Sequence, residues 1–423
     1  MKCVILAAGE GSRLFPITEN RPKPMLTIGG IPIIDRVIEC LRKNKIKELI
    51  IIIGYKKDII QDYLKDGSSF GINIQYVVQP NFLGTANALN LAKDHFEGDD
   101  FLEIYGDLFI RPKTIAKVLE EYHRTGEFVV GMTSVKNPEN YGLVKTKGHY
   151  ITQIDEKPKG NTKSDNKINA GIYVFKNKIF DAIKSTKKSG RGEFEITDSI
   201  NQLIENGEKI RTVLLNNEEW MDIGNPWDLL EANKRSLSEA KHKINGDIEE
   251  DSKIIGPVTI RKGTRILSGV RIEGPAFIGE NSNIGPNCYI RPYTSIGRDV
   301  KIGNACEIKN SIIMNETKIP HLSYVGDSII GSGCNIGAGT ITGNLRLDEK
   351  TVKMRIKNKI VDSGRRKLGV IIGDHVSTAI NVNFMPGVRV GSRSLIGPNV
   401  VVYQDIPSGT KIISKQEISE MKL

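Results

Sequence analysis

Isoleucine recurs at every sixth position from Ile254 to Ile308: Ile254, Ile260, Ile266, Ile272, Ile278, Ile284, Ile290, Ile296, Ile302 and Ile308. A helix repeats its faces about every 3.6 residues and a strand every 2, so neither accounts for a sustained period of six. A coiling chain with one short strand per hexad does, because like residues of successive turns then stack into an inner column. The period breaks around Pro320-His321 and resumes at Ile330 and Ile336. A second break, Arg346–Lys367, is charged and too long for one coil, so it is expected to leave the solenoid as an excursion. Regular coils return with Val376, Val382 and Val388, then Val390, Ile396 and Val402, and the tail from Pro407 is expected to turn helical at its end.

Residues before the repeat follow another rule. Cys3–Ala8, Glu48–Ile53, Ile74–Val78 and Phe101–Tyr105 read as apolar strands, whereas Ile33–Lys43, Lys57–Leu64 and Thr85–Ala92 have helical spacing. Strand-helix alternation predicts a mainly parallel, doubly wound, Rossmann-like sheet that binds ligands beyond the carboxyl ends of its strands. Gly9, Gly54 and Gly106 each follow a strand and so belong to that edge. Polarity rises through Trp227–His242 and the acidic stretch Asn245–Ser252, which predicts domains at 1–245 and 246–423. A chain of 423 residues needs more than one ordinary core.

Composition excludes several classes. No apolar run is long enough to span a bilayer, and the brief apolar start reads as a first buried strand rather than a signal peptide. The net charge of +10 comes from dispersed Lys and Arg without an aromatic-rich basic stripe, so no nucleic-acid partner is expected. The five cysteines are scattered and form no C-x-x-C, which points to a reducing cytoplasm and away from zinc.

Chemistry gathers first in Leu6-Ala7-Ala8-Gly9-Glu10-Gly11-Ser12-Arg13-Leu14, where a strand runs into a glycine-rich turn. Glycine lets backbone N–H groups approach phosphate oxygens, Arg13 adds a forked cationic contact, and Lys23, held between Pro22 and Pro24, suits a departing pyrophosphate. This string, with Pro16, Thr18, Pro22–Leu26 and Pro32, resembles the signature of sugar-1-phosphate nucleotidylyltransferases. The resemblance continues in order through Gln79, Leu83–Ala86, Tyr105-Gly106-Asp107, Tyr141-Gly142, Glu156-Lys157-Pro158, Asn169–Tyr173 and Trp220–Gly224. It implies nucleotide binding by Leu6, Ala7, Ala8, Gly9, Gly11, Gln79, Gly84, Thr85, Tyr105 and Gly106, with catalysis by Arg13, Lys23 and Asp107. Gly142, Glu156 and Asn169 are implied to face the sugar, and Lys157 its phosphate, while Asp107 and Asp222 are implied to hold Mg²⁺. A sugar-phosphate oxygen would attack the α-phosphorus of a nucleoside triphosphate, an in-line displacement that relies on positioning and charge neutralisation. Glu195 and Asp198 are candidates to help bind sugar, and Thr197 or Asp198 to cap the following helix.

In the repeat, what departs from the period is the informative part. His321 stands where the isoleucine column stops, and a histidine can take a proton from an amine nucleophile near neutral pH. Together with Arg291-Pro292, Glu307-Ile308-Lys309, Tyr324, Asn335, Ala338, Asn344 and Lys350, it resembles the acetyltransferase domain of bifunctional uridylyltransferase/acetyltransferases, a left-handed parallel β-helix of hexapeptide repeats. The resemblance implies His321 as base, Arg291, Lys309 and Lys350 on the phosphate, Tyr324 and Asn335 on the sugar, Asn344 on sugar or acetyl group, and Ala338 on acetyl-CoA. It also implies acetylation of glucosamine-1-phosphate, then transfer from UTP to the acetylated sugar phosphate, in a homotrimer. Leu345, the Lys353–Lys367 excursion and the coils near Gly397-Pro398 depart from the bacterial pattern, and Arg365 and Arg366 suit either coenzyme phosphates or a staple to a neighbouring element. Arg13-Leu14-Phe15-Pro16 is closer to glucose-1-phosphate thymidylyltransferases, which leaves dTTP open as the donor. A scaffold like the translation-initiation exchange-factor subunits shares this plan, but Gly9, Gly11, Arg13, Lys23 and Asp107 are intact here.

Overall fold

The computed structural model describes residues 1–158 and 166–421. Chain contacts divide it into two units. The first comprises Met1–Glu10, Arg21–Leu26 and Pro32–Ile223, and the second Gly11–Asn20, Thr27–Ile31 and Gly224–Leu423.

The first unit is built on a nine-stranded sheet among the described residues. At its heart the strands Asn73–Val78, Glu48–Ile53, Lys2–Ala7 and Phe101–Tyr105 lie side by side, all parallel. The run Leu49–Ile53 is buried throughout, as a strand covered on both faces requires. Lys167–Phe175 then enters antiparallel to Phe101–Tyr105, and the far side of the sheet is mixed rather than parallel. The chain crosses from Lys2–Ala7 to one neighbour through helix Ile33–Lys43 and reaches the other only later. The carboxyl end of Lys2–Ala7 is therefore the point where strand order reverses, and the Gly106 N–H donates to Leu6 O there at 2.9 Å.

The second unit is a left-handed parallel β-helix of three sheets. Ile254, Ile272, Ile290, Ile308 and Val325 stack in one column, and Ile260, Ile278, Ile296, Ile313, Ile330, Ile372 and Val390 in another. The hexad isoleucines from Ile260 to Ile308 are fully buried. Corners are closed by small polar side chains such as Thr264 and Ser282, whose hydroxyls donate to Gly279 O and Gly297 O. Others take left-handed backbone at asparagine and aspartate, including Asn281, Asn287 and Asp299.

The register explains the break at Pro320-His321. Ile290 still pairs with Ile308, but Ile296 pairs with Ile313 and Ile302 with Ile319, so one residue is missing between Ile308 and Ile313 and the isoleucine phase is slipped by one from there on. The excursion is an antiparallel hairpin, Lys353–Ile356 with Lys359–Asp362, on a stem closed where Leu368 N–H donates to Asn344 O at 2.9 Å. Arg365 donates to Trp227 O and pairs with Glu231, both outside the excursion, whereas Arg366 pairs with Glu349 within it. Within this unit Gly11–Asn20 is fastened by Glu19, which accepts from Ser408 Oγ at 2.9 Å, and by Asn20, which donates to Asp374 at 3.0 Å.

The tail corrects one expectation. Lys411–Ile412 adds a strand beside Leu395–Ile396, and no helix follows among the described residues, which exclude the last two.

Candidate active sites

In the first unit a buried ammonium joins two carboxylates. Pro22 and Pro24 bracket the turn Lys23–Met25, and Lys23 Nζ donates to Asp107 Oδ2 at 2.6 Å and lies 3.5 Å from Asp222 Oδ1. Asp107 follows the strand Phe101–Tyr105, and Asp222 ends the strand Trp220–Asp222, which pairs antiparallel with Leu108–Ile110. Tyr141 donates to Asp222 Oδ2 at 3.3 Å. The sequence motifs thus converge on one cation position. No cluster of three or more His, Cys, Asp or Glu side chains suited to a metal gathers among the described residues. Two hard carboxylate oxygens fit Mg²⁺, which takes few protein ligands and completes its shell with phosphate oxygens and water.

Other sequence candidates are held by contacts of their own. Gln79 is buried and donates to Gly84 O at 3.3 Å and Asn87 Oδ1 at 3.1 Å. Gly84 has φ +103°, and a Cβ there would meet Phe194 O at 2.4 Å. Thr85 opens the next helix and accepts from Ile196 N–H at 3.0 Å, so its hydroxyl orders the neighbouring loop. Tyr105 lies against Gly171, and its hydroxyl meets that of Tyr173 at 3.1 Å, which also accepts from Asn169 at 2.5 Å.

Glu156, at the end of Tyr150–Glu156, accepts from Thr197 Oγ1 at 3.2 Å and lies 3.7 Å from Lys157 Nζ. Burial raises its carboxyl above the ordinary value, and neighbouring Lys157 pulls it back down. A Cβ on Gly142 would sit 3.0 Å from Glu156 Oε2. Arg191 ties Glu156 to the buried Glu195. Arg191 was not among the sequence candidates, although it lies just before Glu195 in the chain. Asp198 rises through burial and the nearby Glu195. Leu6 and Ala7 close the first strand, with Ala8 and Gly9 just beyond it. Gly11 and the exposed Arg13 belong by contact to the second unit, in the short turn Ser12–Leu14 that Gly11 enters with left-handed φ.

The coil of the second unit assembles another cluster. Arg291 and Lys309 are neighbours on successive coils, since Arg291 N–H donates to Ile308 O. Arg291 pairs with Glu307 at 2.8 Å and lies over Tyr289. Lys309 Nζ donates at 3.0 Å to Asp327, a carboxylate only 3% exposed. Asn344 donates to the same Asp327 oxygen at 2.6 Å and to Tyr324 Oη at 3.1 Å. Lys309, Tyr324 and Asn344, all sequence candidates, therefore meet around a residue that the sequence did not single out. His321 ends the strand Lys318–His321, exposed, three residues before Tyr324. Asn335 is also exposed and bridges Lys318 and Ser377 through its backbone, Ala338 O accepts from Asn381 N–H, and Lys350 lies exposed on the excursion. No side-chain hydrogen bond or ion pair joins these last three to the Asp327 cluster among the described residues.

Comparison with known proteins covers the whole chain. The nucleotidyl transferase family model matches residues 2–239, the GMPPB C-terminal domain model 272–383, and the bacterial transferase hexapeptide (six repeats) model 369–404. A protein of Methanocaldococcus jannaschii called bifunctional protein GlmU is 47% identical over 424 residues, covering 100% of both chains. A Sulfurisphaera tokodaii protein called bifunctional sugar-1-phosphate nucleotidylyltransferase/acetyltransferase is 42% identical over 97% of this chain and 99% of its own. A crystal structure of a putative glucose-1-phosphate thymidylyltransferase from Bacillus anthracis is 34% identical, with a TM-score of 0.51, over 57% of this chain and 98% of that one.

Proposed function

We propose, for a chain that belongs to the family of bifunctional sugar-1-phosphate nucleotidylyltransferase/acetyltransferases, the GlmU proteins, that its two clusters serve two consecutive reactions of UDP-N-acetylglucosamine synthesis. In the coil, the amine of glucosamine-1-phosphate attacks the carbonyl carbon of acetyl-CoA. The new C–N bond replaces the C–S bond, His321 takes the amine proton, and the thiol of coenzyme A leaves. Arg291, Lys309 and Lys350 hold the phosphate, Tyr324 and Asn335 the sugar, Asn344 the sugar or the acetyl group, and Ala338 the coenzyme. In the sheet domain, an oxygen of N-acetylglucosamine-1-phosphate attacks the α-phosphorus of UTP and pyrophosphate leaves. Backbone amides of Ala8–Gly11 and the Arg13 guanidinium hold the triphosphate, Lys23 neutralises the leaving group, and Glu156, Lys157 and Asn169 orient the sugar phosphate. Asp107 and Asp222 would hold Mg²⁺, which when bound supplies charge neutralisation at the reacting phosphate. A domain boundary near residue 245, a homotrimer and a cytoplasmic setting belong to this reading; the buried free cysteines support the last.

The observation that carries the proposal is the buried Lys23 held between Asp107 and Asp222, a charge-neutralising centre at the loop edge of a nucleotidyl transferase sheet. It is tested by following thiol release from acetyl-CoA and pyrophosphate release from UTP in the same preparation. His321→Ala is expected to lose acetyl transfer and keep nucleotidyl transfer, and Asp107→Asn to do the reverse. Loss of both activities in either variant would contradict two separate sites. The solved thymidylyltransferase likeness, with the Arg13–Pro16 string, favours one variant reading, dTTP with glucose-1-phosphate. A panel of triphosphates and sugar phosphates scored for pyrophosphate release decides between them.

A further inference from the structure

We propose that Asp327 is the positioning residue of the coil site, fixing Asn344 as a hydrogen-bond acceptor and Tyr324 as a donor toward the amino sugar phosphate. The inference rests on the acetyl-transfer reading above and goes beyond it, since it assigns hydrogen-bond polarity to groups that a contact alone leaves undetermined.

An ionised carboxylate only accepts hydrogen bonds. Both oxygens of Asp327 are engaged: Oδ1 accepts from Asn310 Nδ2 at 2.6 Å, and Oδ2 from Lys309 Nζ at 3.0 Å and Asn344 Nδ2 at 2.6 Å. The Asn344 amide therefore has to turn its nitrogen inward. That same nitrogen donates its other proton to Tyr324 Oη at 3.1 Å. Two consequences follow in sequence. Asn344 Oδ1 is the group left to face a ligand, and it carries no hydrogen bond among the described residues. The Tyr324 hydroxyl, already accepting, keeps its proton for a substrate oxygen.

Space for this arrangement is made by Gly326, where a Cβ would lie 2.4 Å from Tyr324 Oη and 2.7 Å from Asn344 Nδ2. Asp327 itself holds left-handed backbone, φ +51°, with its N–H donating to Lys309 O at 2.9 Å, so the carboxylate is pinned from its own main chain.

The chemistry selects the nucleophile. Asn344 Oδ1 accepts one N–H of the substrate amine and so aims the nitrogen lone pair away from itself, toward the acyl carbon. Lys309, with one proton spent on Asp327, keeps others for the sugar phosphate. A carboxylate two bonds removed from the substrate thus sets which way each polar group faces, without touching the substrate itself.

The test uses the full-length protein with glucosamine-1-phosphate and acetyl-CoA. Asp327→Asn keeps the shape and removes the obligate acceptor, so Asn344 can flip. The KM for the amino sugar phosphate is expected to rise about three- to tenfold, the loss of one neutral hydrogen bond, while the KM for acetyl-CoA and nucleotidyl transfer stay as in the wild type. A second variant, Asn344→Asp, keeps an outward acceptor but sets a second carboxylate against Asp327, and the two must share a proton. Its amino-sugar KM, divided by that of the wild type, is expected to climb with pH. An unchanged amino-sugar KM in Asp327→Asn, an equal rise for both substrates, or a pH-independent ratio in Asn344→Asp would overturn the inference. Absence of thiol release by the wild type would remove the acetyl-transfer reading and the inference with it.

Discussion

Glu103 carries a cost that no neighbour offsets. It sits within the strand Phe101–Tyr105, fully buried, and neither carboxyl oxygen finds a hydrogen-bond partner among the described residues. Burial holds its pKa well above the ordinary carboxylate value, so the folded chain keeps it neutral. The sign follows from linkage: below the unfolded-state value both states are protonated and nothing is lost. As pH rises past that value the unfolded chain sheds the proton and the folded one retains it, so stability falls by about 1.4 kcal/mol per pH unit until the raised folded value is reached. Glu103→Met, similar in size and apolar, is expected to flatten that slope and to gain stability at pH 8 more than at pH 5, measured by urea unfolding at both pH values. An equal gain at both would mean that the carboxyl is not neutral in the folded protein. Composition gave no hint of this residue, because a glutamate in an apolar strand reads as a surface position until the strand is covered on both faces. Lys23 and Asp107 were legible, since the loop prolines and a strand end mark them in the chain, and Asp222 only through the family resemblance. Asp327 and Arg191 were not, because their partners lie on other coils or strands, and only the register brings those together.

At the level of elements, the hexad isoleucines announced both the solenoid and its interruptions. Each fully buried isoleucine contributes about 1.5–3 kcal/mol through removal of apolar surface from water. Ile296→Ala, in the middle of its column between Ile278 and Ile313, is expected to cost about 2–5 kcal/mol, because neighbouring coils hold the gap open. Denaturant unfolding followed by far-ultraviolet circular dichroism measures it, and a loss below 1 kcal/mol would mean that the stack collapses around the gap. The period revealed where the coils fail, and for the second break also how. The length of the second break announced the hairpin after Asn344, but the residue missing between Ile308 and Ile313 was not legible, because register depends on pairings between residues far apart in sequence. In the sheet, the parallel run was legible from strand-helix alternation, whereas the antiparallel entry of Lys167–Phe175 was not, since an apolar strand reads the same in either direction.

For the whole molecule, the homotrimer follows from family resemblance and is open to direct measurement. Light scattering after gel filtration is expected to give three times the chain mass of 46.9 kDa, and a stable monomer would remove that part of the proposal. Exposed Leu322, Ile341, Leu345, Leu347, Ile360 and Ile380, all on the coil or its excursion, are apolar surface that such an assembly would cover. No helix among the described residues is long and apolar enough to cross a membrane.

The excursion begins after Asn344 and ends at Leu368, two residues whose backbones are already joined. Ile330 stacks on Ile372 as though the intervening stretch did not exist. The ladder is therefore blind to the length of what hangs between those two points. Changes of length at the hairpin tip, between Ile356 and Lys359, therefore leave the columns above and below in phase, whereas the stem, with Lys350 and the Arg365 tie, is fixed in place.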